Sequence, residues 1–549
     1  MWNQLSLKIE LNDNYQDKFR GAFVGAAIGD ALGFITEFIR NEREIKIKYN
    51  LDKLDKFVAW EKITTYSRKG QYINLPLPAG TYSDDTQLTL ATARSIESSG
   101  SFNPHTFAKF ELPLWLEYEL GGGSGTKAAA RNLRNENINW HNNFYHTNYN
   151  TYVNGGGNGA AMRILPIVLV NYRELSKQYL DIWRNTIITH GHPKGLIGAI
   201  LLADSIRLII ENPLNKSDWL EQLIESCTHY PNLTELWSQE KCFVNWEQQW
   251  NQVTKQKYQE VWNATCEECL EKLKLVYSDF DKTPLNVNLK KLGCYQPETK
   301  GAGDSTVIAA ILFVCRLTNF YAESDGKELE DTIISIANTI GIDTDTIAYF
   351  AGAMIGAQYG FEAISHKFKT KVQDYGYLLK VADWCYQVYL KSSSIDKIFR
   401  YPHFSDSQKL NSFVSDISGY ITRGQIINLP VFGNGKIVSD VDITPRGLNK
   451  RLLLLRIELD FGQTLYIKAQ VSDVSSSVSQ RLSSPQGEYI VSSLPVLDEF
   501  KDSVEKSNFD SEVIVNILKH IKFERKDRAI YNAFSTWLWA TLPPSTEKR

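Results

Sequence analysis

Apolar and polar residues follow two different periods along the chain. Up to about residue 390, apolar residues recur every three or four positions, which predicts buried and amphipathic helices. Between residues 423 and 472 they alternate in short runs separated by glycine, which predicts β-strands. Residues 510–541 return to a helical pattern. The clearest predicted helices span residues 199–211, 333–340, 347–359 and 376–391, and the predicted strands span residues 426–431, 452–459 and 464–471.

This change of pattern divides the chain into two predicted domains. Residues 1–399 form a mainly helical domain, and residues 400–549 form a C-terminal α+β domain of unknown role. Within the first domain, residues 212–300 are polar and rich in Trp and Lys, so we interpret them as an insertion or a divergent helical segment. Neither that segment nor the C-terminal domain has a catalytic motif, so each is a candidate for target recognition or assembly.

A stripe of small residues runs through the first predicted helix. Gly21, Gly25, Gly29 and Gly33 recur every four residues, which places them on one helical face. Each glycine costs about 1 kcal/mol relative to alanine in a helix interior, so the stripe requires a reason. Close packing against another helix is the structural explanation, and a ligand that reaches the helix end is the functional one. Asp30 lies in the same segment, either as a site residue or as a satisfied structural carboxylate.

Two short acidic segments each stand at the start of an apolar helix. Residues 83–86 read Ser-Asp-Asp-Thr, and residues 343–346 read Asp-Thr-Asp-Thr. One aspartate in such a place is explained as an N-cap, which favours the helix dipole. Two carboxylates with neighbouring hydroxyls need a compensating cation when apolar helices surround them. Oxygen ligands at this density suit Mg²⁺ or Mn²⁺, and two such segments predict a shared site for two metal ions.

Two glycine-rich loops precede helical segments, at residues 121–126 and 154–163. Backbone N–H groups at a helix N-terminus can hold a phosphate group, so the pair predicts a ligand such as a pyrophosphate. A flexible turn is the alternative for the first loop, which lacks the Gly-Lys-Ser/Thr ending of a Walker loop. Further along, we interpret His190 and His192 as ligand contacts or a helix end, because no Cys or third His lies near enough to complete a zinc site.

The composition of the chain argues against several classes of protein. The net charge of −3 disfavours a dominant nucleic-acid surface. The first residues lack a signal-peptide pattern, and no apolar run reaches the roughly 18 residues that span a bilayer, so we expect no membrane contact. Seven cysteines, an odd number, fit reduced thiols and a cytoplasmic location. Cys266 and Cys269 have the spacing of a zinc ligand pair, but possible partners are distant, so a zinc site is disfavoured.

The order of these motifs resembles that of the ADP-ribosylglycohydrolase family. It comprises Gly-Asp-Ala-Leu-Gly at 29–33, the acidic segments at 83–86 and 343–346, the two glycine loops between them, and Thr-His-Gly-His-Pro at 189–193, within about residues 18–365. The resemblance implies an all-helical core and two Mg²⁺ or Mn²⁺ ions. It also implies a hydrolase that cleaves the ribose C1 glycosidic bond and releases ADP-ribose from a modified protein, nucleic acid or small molecule. An ADP-ribosylating toxin or transferase is the counterpart that such an activity suggests.

The resemblance also implies roles for individual residues. Glu37 matches the acidic residue that is proposed to act on substrate or water in some members, and Asp84 and Asp345 are implied to be catalytic with it. The implied metal ligands are Ser83, Asp84, Asp85, Asp343, Asp345 and Thr346. The implied ligand-binding residues are Gly121, Gly123, Thr126, Asn158, Gly159, Ala160, Met162 and His190. The family usually has two glycines before its last acidic motif, and Ile342 replaces the second here, so we expect an effect on specificity.

Two other functions are compatible with the same motifs. A non-catalytic member of the family would act as an ADP-ribose sensor or as a structural protein. Lost metal ligands would favour that reading, and all six are present. A metal phosphohydrolase that acts on another nucleotide is the second alternative, and its products would be phosphate or AMP rather than ADP-ribose.

Overall fold

The described part of the chain folds as two compact units. The computed structural model describes residues 2–65, 71–211, 215–318, 327–392, 423–429, 431–445, 451–471, 489–491 and 521–523. The first unit contains those within residues 1–410, 426–436 and 456–467, and the second contains those within residues 411–425, 437–455 and 468–549. The division into domains at residue 399 stays a prediction.

Helices make up most of the first unit, as the sequence predicts. In chain order the α-helices are α1 (Trp2–Thr36), α2 (Glu42–Tyr49), α3 (Asp84–Arg94), α4 (Pro104–Thr106), α5 (Leu112–Trp115), α6 (Ser124–Asn132), α7 (Leu165–Val170), α8 (Leu175–Ile187), α9 (Pro193–Glu211), α10 (Lys216–Thr228), α11 (Leu233–Trp237), α12 (Phe243–Thr254), α13 (Tyr258–Asp279), α14 (Leu285–Lys291), α15 (Gly303–Leu317), α16 (Lys327–Ala337), α17 (Thr344–Tyr359), α18 (His366–Lys369) and α19 (Tyr375–Tyr389). A π-helix at Phe107–Glu111 joins α4 to α5, and 3₁₀-helices occur at Tyr152–Asn154, Ala161–Arg163 and Tyr230–Asn232.

The strands of the described residues form three small sheets. They are β1 (Trp60–Thr65), β2 (Tyr72–Leu77), β3 (Ile426–Leu429), β4 (Gly433–Asp442), β5 (Arg451–Leu459), β6 (Thr464–Val471), β7 (Tyr489–Val491) and β8 (Ile521–Phe523). The antiparallel pair β1–β2 forms one sheet, β3 to β6 lie side by side in chain order, and β7 pairs in parallel with β8. The alternating pattern therefore identified β3, β5 and β6 and missed β4.

Helix α1 packs antiparallel against α17, and the glycine stripe is the surface between them. A Cβ atom built on Gly21, Gly25, Gly29 or Gly33 would meet a backbone oxygen of α17 at 2.0 to 2.3 Å. The contact is reciprocal, because a Cβ on Gly352 would meet the carbonyl oxygen of Gly25 at 2.1 Å. The structural explanation of the stripe is confirmed. With hydrogen in place of Cβ, the two backbones touch over about three helical turns.

Asp30 ties α1 to the first turn of α3. Its carboxylate accepts hydrogen bonds from the backbone N–H of Ser83 at 2.8 Å and of Thr86 at 3.0 Å, and from the Thr86 hydroxyl at 2.6 Å. These N–H groups belong to the helix start, where no intrahelical acceptor exists. The side chain is fully buried, and burial raises the pKa of the carboxyl to about 6. Asp30 is therefore the satisfied structural carboxylate, and it fixes the acidic start of α3 against α1.

The β1–β2 hairpin packs against the helical core of the first unit. Buried and exposed residues alternate along both strands. Trp60, on the buried face, packs edge-on against Phe34 of α1 with ring centroids 4.9 Å apart. The hairpin thus covers the C-terminal end of α1. Sequence patterning did not identify it, because each strand has only six residues.

Residues 215–300 form α10 to α14, whose core is aromatic. The tryptophans of this segment are at most 1% exposed, and they pack against one another and against Tyr258. This packing accounts for the Trp-rich composition. Cys266 and Cys269 are buried on α13, and all seven cysteines of the chain are free.

The structure qualifies one expectation from the sequence and corrects another. Residues Tyr15–Thr36 of α1 are by length and composition apolar enough to cross a membrane, although charged residues such as Asp30 interrupt the apolar run. Because 94% of the apolar window is buried inside the protein, the segment is also what a core helix looks like. The helical pattern at 510–541 is contradicted by β8, since Ile521–Phe523 is a strand. The rest of that segment lies outside the described residues.

Candidate active site

A cavity of about 670 Å³ lies where the first turns of α3, α6 and α17 meet the C-terminal end of α1. The motifs that line it are far apart in the sequence, and most of the predicted site residues meet there. The predicted residues that line the cavity are Glu37, Asp84, Asp85, Gly121, Gly123, Thr126, Asn158, Gly159, Met162, His190, Asp343, Asp345 and Thr346. The close α1–α17 packing brings the first and last of these motifs together.

Two predicted site residues lie outside the cavity lining. Ser83 is the N-cap of α3, where its Oγ accepts a hydrogen bond from the Asp85 N–H at 3.2 Å. Ala160 is fully buried behind the glycine loop. The hydroxyl of Ser83 retains a second lone pair, so its role as a metal ligand stays a prediction.

The acidic residue at the start of α17 does not cap its helix. Asp343 occupies the N-cap position, yet its side chain makes no capping hydrogen bond. Instead its Oδ2 accepts a hydrogen bond from the Asn158 side-chain amide at 3.0 Å. The N-cap explanation of this carboxylate therefore fails. Asn158 links the second glycine loop directly to the acidic segment.

The two acidic segments meet through Thr346. Its hydroxyl donates to Oδ1 of Asp85 at 3.4 Å, and its backbone N–H donates to Oδ1 of Asp345 at 2.9 Å. The second oxygen of Asp85, Oδ2, is buried and has no hydrogen-bond partner in the described part of the chain, and the same is true of Oε2 of Glu37. A buried carboxylate oxygen without a partner is costly, so each of these atoms is a free acceptor at the cavity.

Burial raises the pKa of the acidic groups in the cavity. It raises the pKa of Glu37 to about 8, to which the charge of Asp343 adds. It likewise raises the pKa of Asp84 to about 8. The pKa values of Asp85, Asp343 and Asp345 lie well above the usual carboxyl range because of burial first and of neighbouring carboxylates second. Without a compensating charge, this group of side chains resists full ionisation.

The donor set of the cavity fits a hard divalent cation. All the candidate donors are carboxylate or hydroxyl oxygens, and two carboxylate oxygens are buried and unpaired. A divalent cation at this place would favour the ionised carboxylates that burial disfavours. Among the described residues, no three His, Cys, Asp or Glu side chains are already gathered closely enough to hold an ion.

The glycine loops touch the other predicted ligand-binding residues. A Cβ on Gly159 would lie 2.9 Å from Cε1 of His190 and 3.0 Å from the Thr126 hydroxyl. A Cβ on Gly121, whose φ is +104°, would lie 2.8 Å from Oδ1 of Asp84. A larger residue at Gly159 would displace these side chains, and the positive φ of Gly121 favours glycine there. The two loops form one wall of the cavity.

Sequence reasoning missed two parts of this site. Residues 145–151 line the cavity beside the second glycine loop, and only their Asn, Tyr and His content set them apart in the sequence. Lys62 of β1 is 8% exposed, and its Nζ lies 3.8 Å from the ring centroid of Phe38 and 4.6 Å from that of Phe34. Its positive charge lowers the pKa of Glu37 against the effect of burial.

Comparison with known proteins identifies the family. The ADP-ribosylglycohydrolase family model matches residues 11–394, which is more than half of the chain. The chain belongs to the ADP-ribosylglycohydrolase family. This membership supports an ADP-ribosyl hydrolase activity, and it confirms the resemblance and the helical fold that the motifs indicated.

Two named relatives of the chain are distant in sequence. ADP-ribosylhydrolase ARH3 of Mus musculus is 23% identical over 322 residues, which cover 57% of this chain and 78% of the relative. ADP-ribosylarginine hydrolase Tri1 of Pseudomonas putida is 26% identical over 163 residues, which cover 28% of this chain and 42% of the relative. A solved structure described as an ADP-ribosylglycohydrolase-related protein complex is 20% identical, covers 69% of this chain and 99% of its own, and has a TM-score of 0.42.

Ile342 is a residue at which the chain departs from the usual motif of the family. Its side chain is 0% exposed and is not part of the cavity lining. Its bulk therefore lies in the core beside Asp343 rather than in the ligand space. The position of Ile342 gives no support to the expected effect on specificity.

Helix α12 supports the wall of the cavity that carries the predicted ligand-binding residues. Nε1 of Trp246 donates to the Tyr152 hydroxyl at 2.8 Å, and that hydroxyl donates to the carbonyl oxygen of Ile187 at 2.6 Å. Nε1 of Trp250 donates to the carbonyl oxygen of Gly191, next to His190, at 2.8 Å. A segment without catalytic motifs thus holds the backbone that carries the ligand-binding residues.

Proposed function

We propose that this protein is a metal-dependent hydrolase that cleaves the ribose C1 glycosidic bond of an ADP-ribosylated target and releases ADP-ribose. The observation that carries the proposal is the meeting of two acidic helix starts, with unpaired oxygens on Asp85 and Glu37, in the same cavity as two glycine loops. The acidic groups suit metal ions and the loops suit a diphosphate. A cavity of about 670 Å³ accommodates a nucleotide-sized ligand.

The residues that would hold two Mg²⁺ or Mn²⁺ ions are Ser83, Asp84, Asp85, Asp343, Asp345 and Thr346. When bound, such ions lower the pKa of a water molecule and polarise the ribose hydroxyls. Asn158 orients Asp343 for this task through its 3.0 Å hydrogen bond. The α3 and α17 N-termini add favourable dipoles for negative charge at the same place.

The remaining residues of the cavity have two proposed roles, which are proton transfer and ligand binding. Glu37 has a free buried oxygen at the cavity. Burial favours its protonated form, so it is suited to accept the proton of the attacking water once a bound cation favours the carboxylate. The water oxygen bonds to ribose C1, and the leaving group departs with the electron pair of the broken bond and takes up a proton. The backbone N–H groups of the first glycine loop and the hydroxyl of Thr126 are suited to hold the diphosphate.

The proposal is tested by incubating the full chain with mono-ADP-ribosylated arginine peptide, serine peptide and DNA, with Mg²⁺ or with EDTA. We expect release of ADP-ribose from at least one substrate, lost in EDTA and restored by added Mg²⁺. Calorimetric binding of ADP-ribose without release would favour the sensor. Release of phosphate or AMP would favour the phosphohydrolase. The substrate that is cleaved identifies the class of the modified target. The proposal also includes an ADP-ribosylating toxin or transferase as the counterpart and a cytoplasmic location.

Replacing Trp250 by Phe is expected to weaken ADP-ribose binding about 3- to 10-fold. The change removes one hydrogen bond and leaves the buried carbonyl of Gly191 unpaired, which loosens the backbone beside His190. Calorimetry with ADP-ribose measures the effect. Trp262→Phe is the matched control, because Nε1 of Trp262 donates to the carbonyl oxygen of Tyr230 at 3.0 Å within the same helical segment. Both variants should lower Tm similarly, and equal affinities in the two would contradict the supporting role of α12.

A further inference from the structure

A chain of buried hydrogen bonds leads from Arg163 to the cavity. Arg163 is 0% exposed and donates to the side-chain and backbone oxygens of Asn185, both at 2.8 Å, and to the carbonyl oxygen of Gly159 at 3.1 Å. Its Nη2 also donates to the Thr189 hydroxyl at 2.9 Å. A guanidinium group has only donors, so the Thr189 oxygen must accept in that contact.

The hydrogen of the Thr189 hydroxyl then needs an acceptor. Its oxygen lies 2.7 Å from Nδ1 of His190. In the described residues, Nδ1 of His190 is the remaining hydrogen-bond partner of that hydroxyl once Arg163 is counted. The Thr189 hydroxyl therefore donates to Nδ1, which must be the unprotonated nitrogen. The proton of the neutral imidazole ring then resides on Nε2.

Nε2 of His190 faces the ligand space. Cβ atoms built on Gly157 and Gly159, two residues of the cavity wall, would lie 3.7 Å and 3.2 Å from it. Burial, together with the charge of Arg163, lowers the pKa of His190 to about 3, so the ring stays neutral near pH 7. A neutral ring with its proton on Nε2 is a hydrogen-bond donor toward the cavity and has no free acceptor nitrogen.

We propose that Arg163 and Thr189 are positioning residues that hold His190 as its Nε2–H tautomer, so that His190 donates a hydrogen bond to an oxygen of the bound ligand. This inference rests on the proposed function for the identity of that ligand, ADP-ribose, whose phosphate and hydroxyl oxygens are the acceptors. It also excludes His190 as the proton acceptor of the reaction. The same guanidinium holds the Gly159 carbonyl, so the relay sets the loop and the ring together.

Thr189→Val and Thr189→Ser form a matched pair that tests the relay. Valine keeps the shape of threonine and removes the hydroxyl, whereas serine keeps the hydroxyl. Long-range ¹H–¹⁵N correlation spectra of histidine-labelled protein at pH 7 report the tautomer directly. We expect the Nε2–H form in wild type and in Thr189→Ser, and its partial or complete loss in Thr189→Val. Far-UV circular dichroism and Tm identify any variant that fails to fold.

Affinity for ADP-ribose provides the second readout. We expect Thr189→Val to bind about 10- to 100-fold more weakly, because a donor to a charged oxygen is misplaced, and Thr189→Ser to stay within about 3-fold of wild type. An unchanged tautomer in folded Thr189→Val would overturn the relay. An Nδ1–H tautomer of His190 in the wild-type protein would also overturn the relay. If wild type binds no ADP-ribose but shows the expected tautomers, the proposed function fails and the relay stands.

Discussion

Replacing Asp85 by Asn is expected to reduce metal-dependent ADP-ribose release at least about 100-fold while making the metal-free protein more stable. Asp85 is 1% exposed, one of its oxygens has no partner, and the charges of nearby aspartates raise its pKa further. An amide of the same shape removes that electrostatic cost, so the free energy of unfolding should rise by about 1–3 kcal/mol. Product assays in Mg²⁺ and urea denaturation in EDTA measure the two effects.

The control is a buried aspartate whose oxygens do accept hydrogen bonds. It tests whether the gain in stability of Asp85→Asn comes from the unpaired oxygen. Asp181 is 0% exposed and accepts hydrogen bonds from the Phe102 N–H at 3.0 Å and from Arg184 at 2.8 Å. Asp181→Asn should therefore lower stability by about 1–3 kcal/mol and leave release unchanged. If Asp85→Asn also lowered the stability of the metal-free protein, the unpaired-carboxylate description of the site would be wrong.

The same carboxylates predict a pH dependence that Mg²⁺ abolishes. Glu37 and Asp84 have folded pKa values of about 8, above the roughly 4 of an unfolded carboxyl group. Between these values the folded state binds more protons than the unfolded state, so this contribution to stability is present at low pH and is lost as pH rises toward 8. In EDTA the free energy of unfolding should fall from pH 5 to pH 8 relative to the same protein in Mg²⁺. Parallel pH profiles in the two buffers would contradict this.

Replacing Gly29 by Val is expected to prevent stable folding at 37 °C. Even the Cβ atom would meet the carbonyl oxygen of Ala348 at 2.0 Å and its carbon at 2.4 Å, and both are backbone atoms that cannot rotate away. Overpacking against side chains typically costs about 1–3 kcal/mol, and a backbone clash along a helix pair exceeds that range. Thermal unfolding followed by circular dichroism, or recovery of soluble protein where no transition is seen, measures the effect.

A glycine in open space is the control for Gly29. A Cβ on Gly376, in α19, would have no heavy atom within 4 Å. Gly376→Ala should therefore stabilise the protein by about 0.5–1 kcal/mol, because alanine has the higher helix propensity. Gly29→Ala should lie between the two in its effect. A Tm for Gly29→Val near that of wild type would show that α1 and α17 separate more easily than their contact indicates.

The sequence predicted that the glycine face of α1 packs closely against another helix, but it identified neither α17 as the partner nor the register. Glycines spaced by four mark each helix, and a repeat of that kind permits pairings shifted by one turn. The register is fixed by contacts that no periodicity contains. The Thr344 hydroxyl donates to the carbonyl oxygen of Gly33 at 2.8 Å, and the Phe361 N–H donates to the carbonyl oxygen of Asp17 at 3.0 Å. One contact is made by a side chain and the other by the backbone, and both lie near the ends of the helices, where patterning is weakest.

For the candidate site, too, the sequence predicted which residues take part better than it predicted how they contact one another. Acidic pairs and glycine loops are local in sequence, so they identified most of the cavity lining. The sequence singled out Thr189 and His190 by their motif, but it did not indicate that Arg163 bonds to Thr189, because that contact depends on long-range packing. The place of Lys62 beside Glu37 depends on long-range packing in the same way. The predicted helix at 333–340 also ended early, at Ala337, because the Asn338 side chain donates to the carbonyl oxygens of Ile334 at 2.7 Å and Leu54 at 2.9 Å.

The pairing of α1 with α17 also sets when the site can arise during protein synthesis. Asp84 and Asp85 leave the ribosome early, but their partners at the start of α17 follow only after most of the first unit has been made. A nascent chain that ends before α17 has one acidic segment, an unpaired glycine face on α1 and no cavity. Contacts of such long sequence separation form slowly. The glycine face of α1 must therefore stay unpaired and be protected from aggregation until α17 has been synthesised. Only then can the core and the site both form.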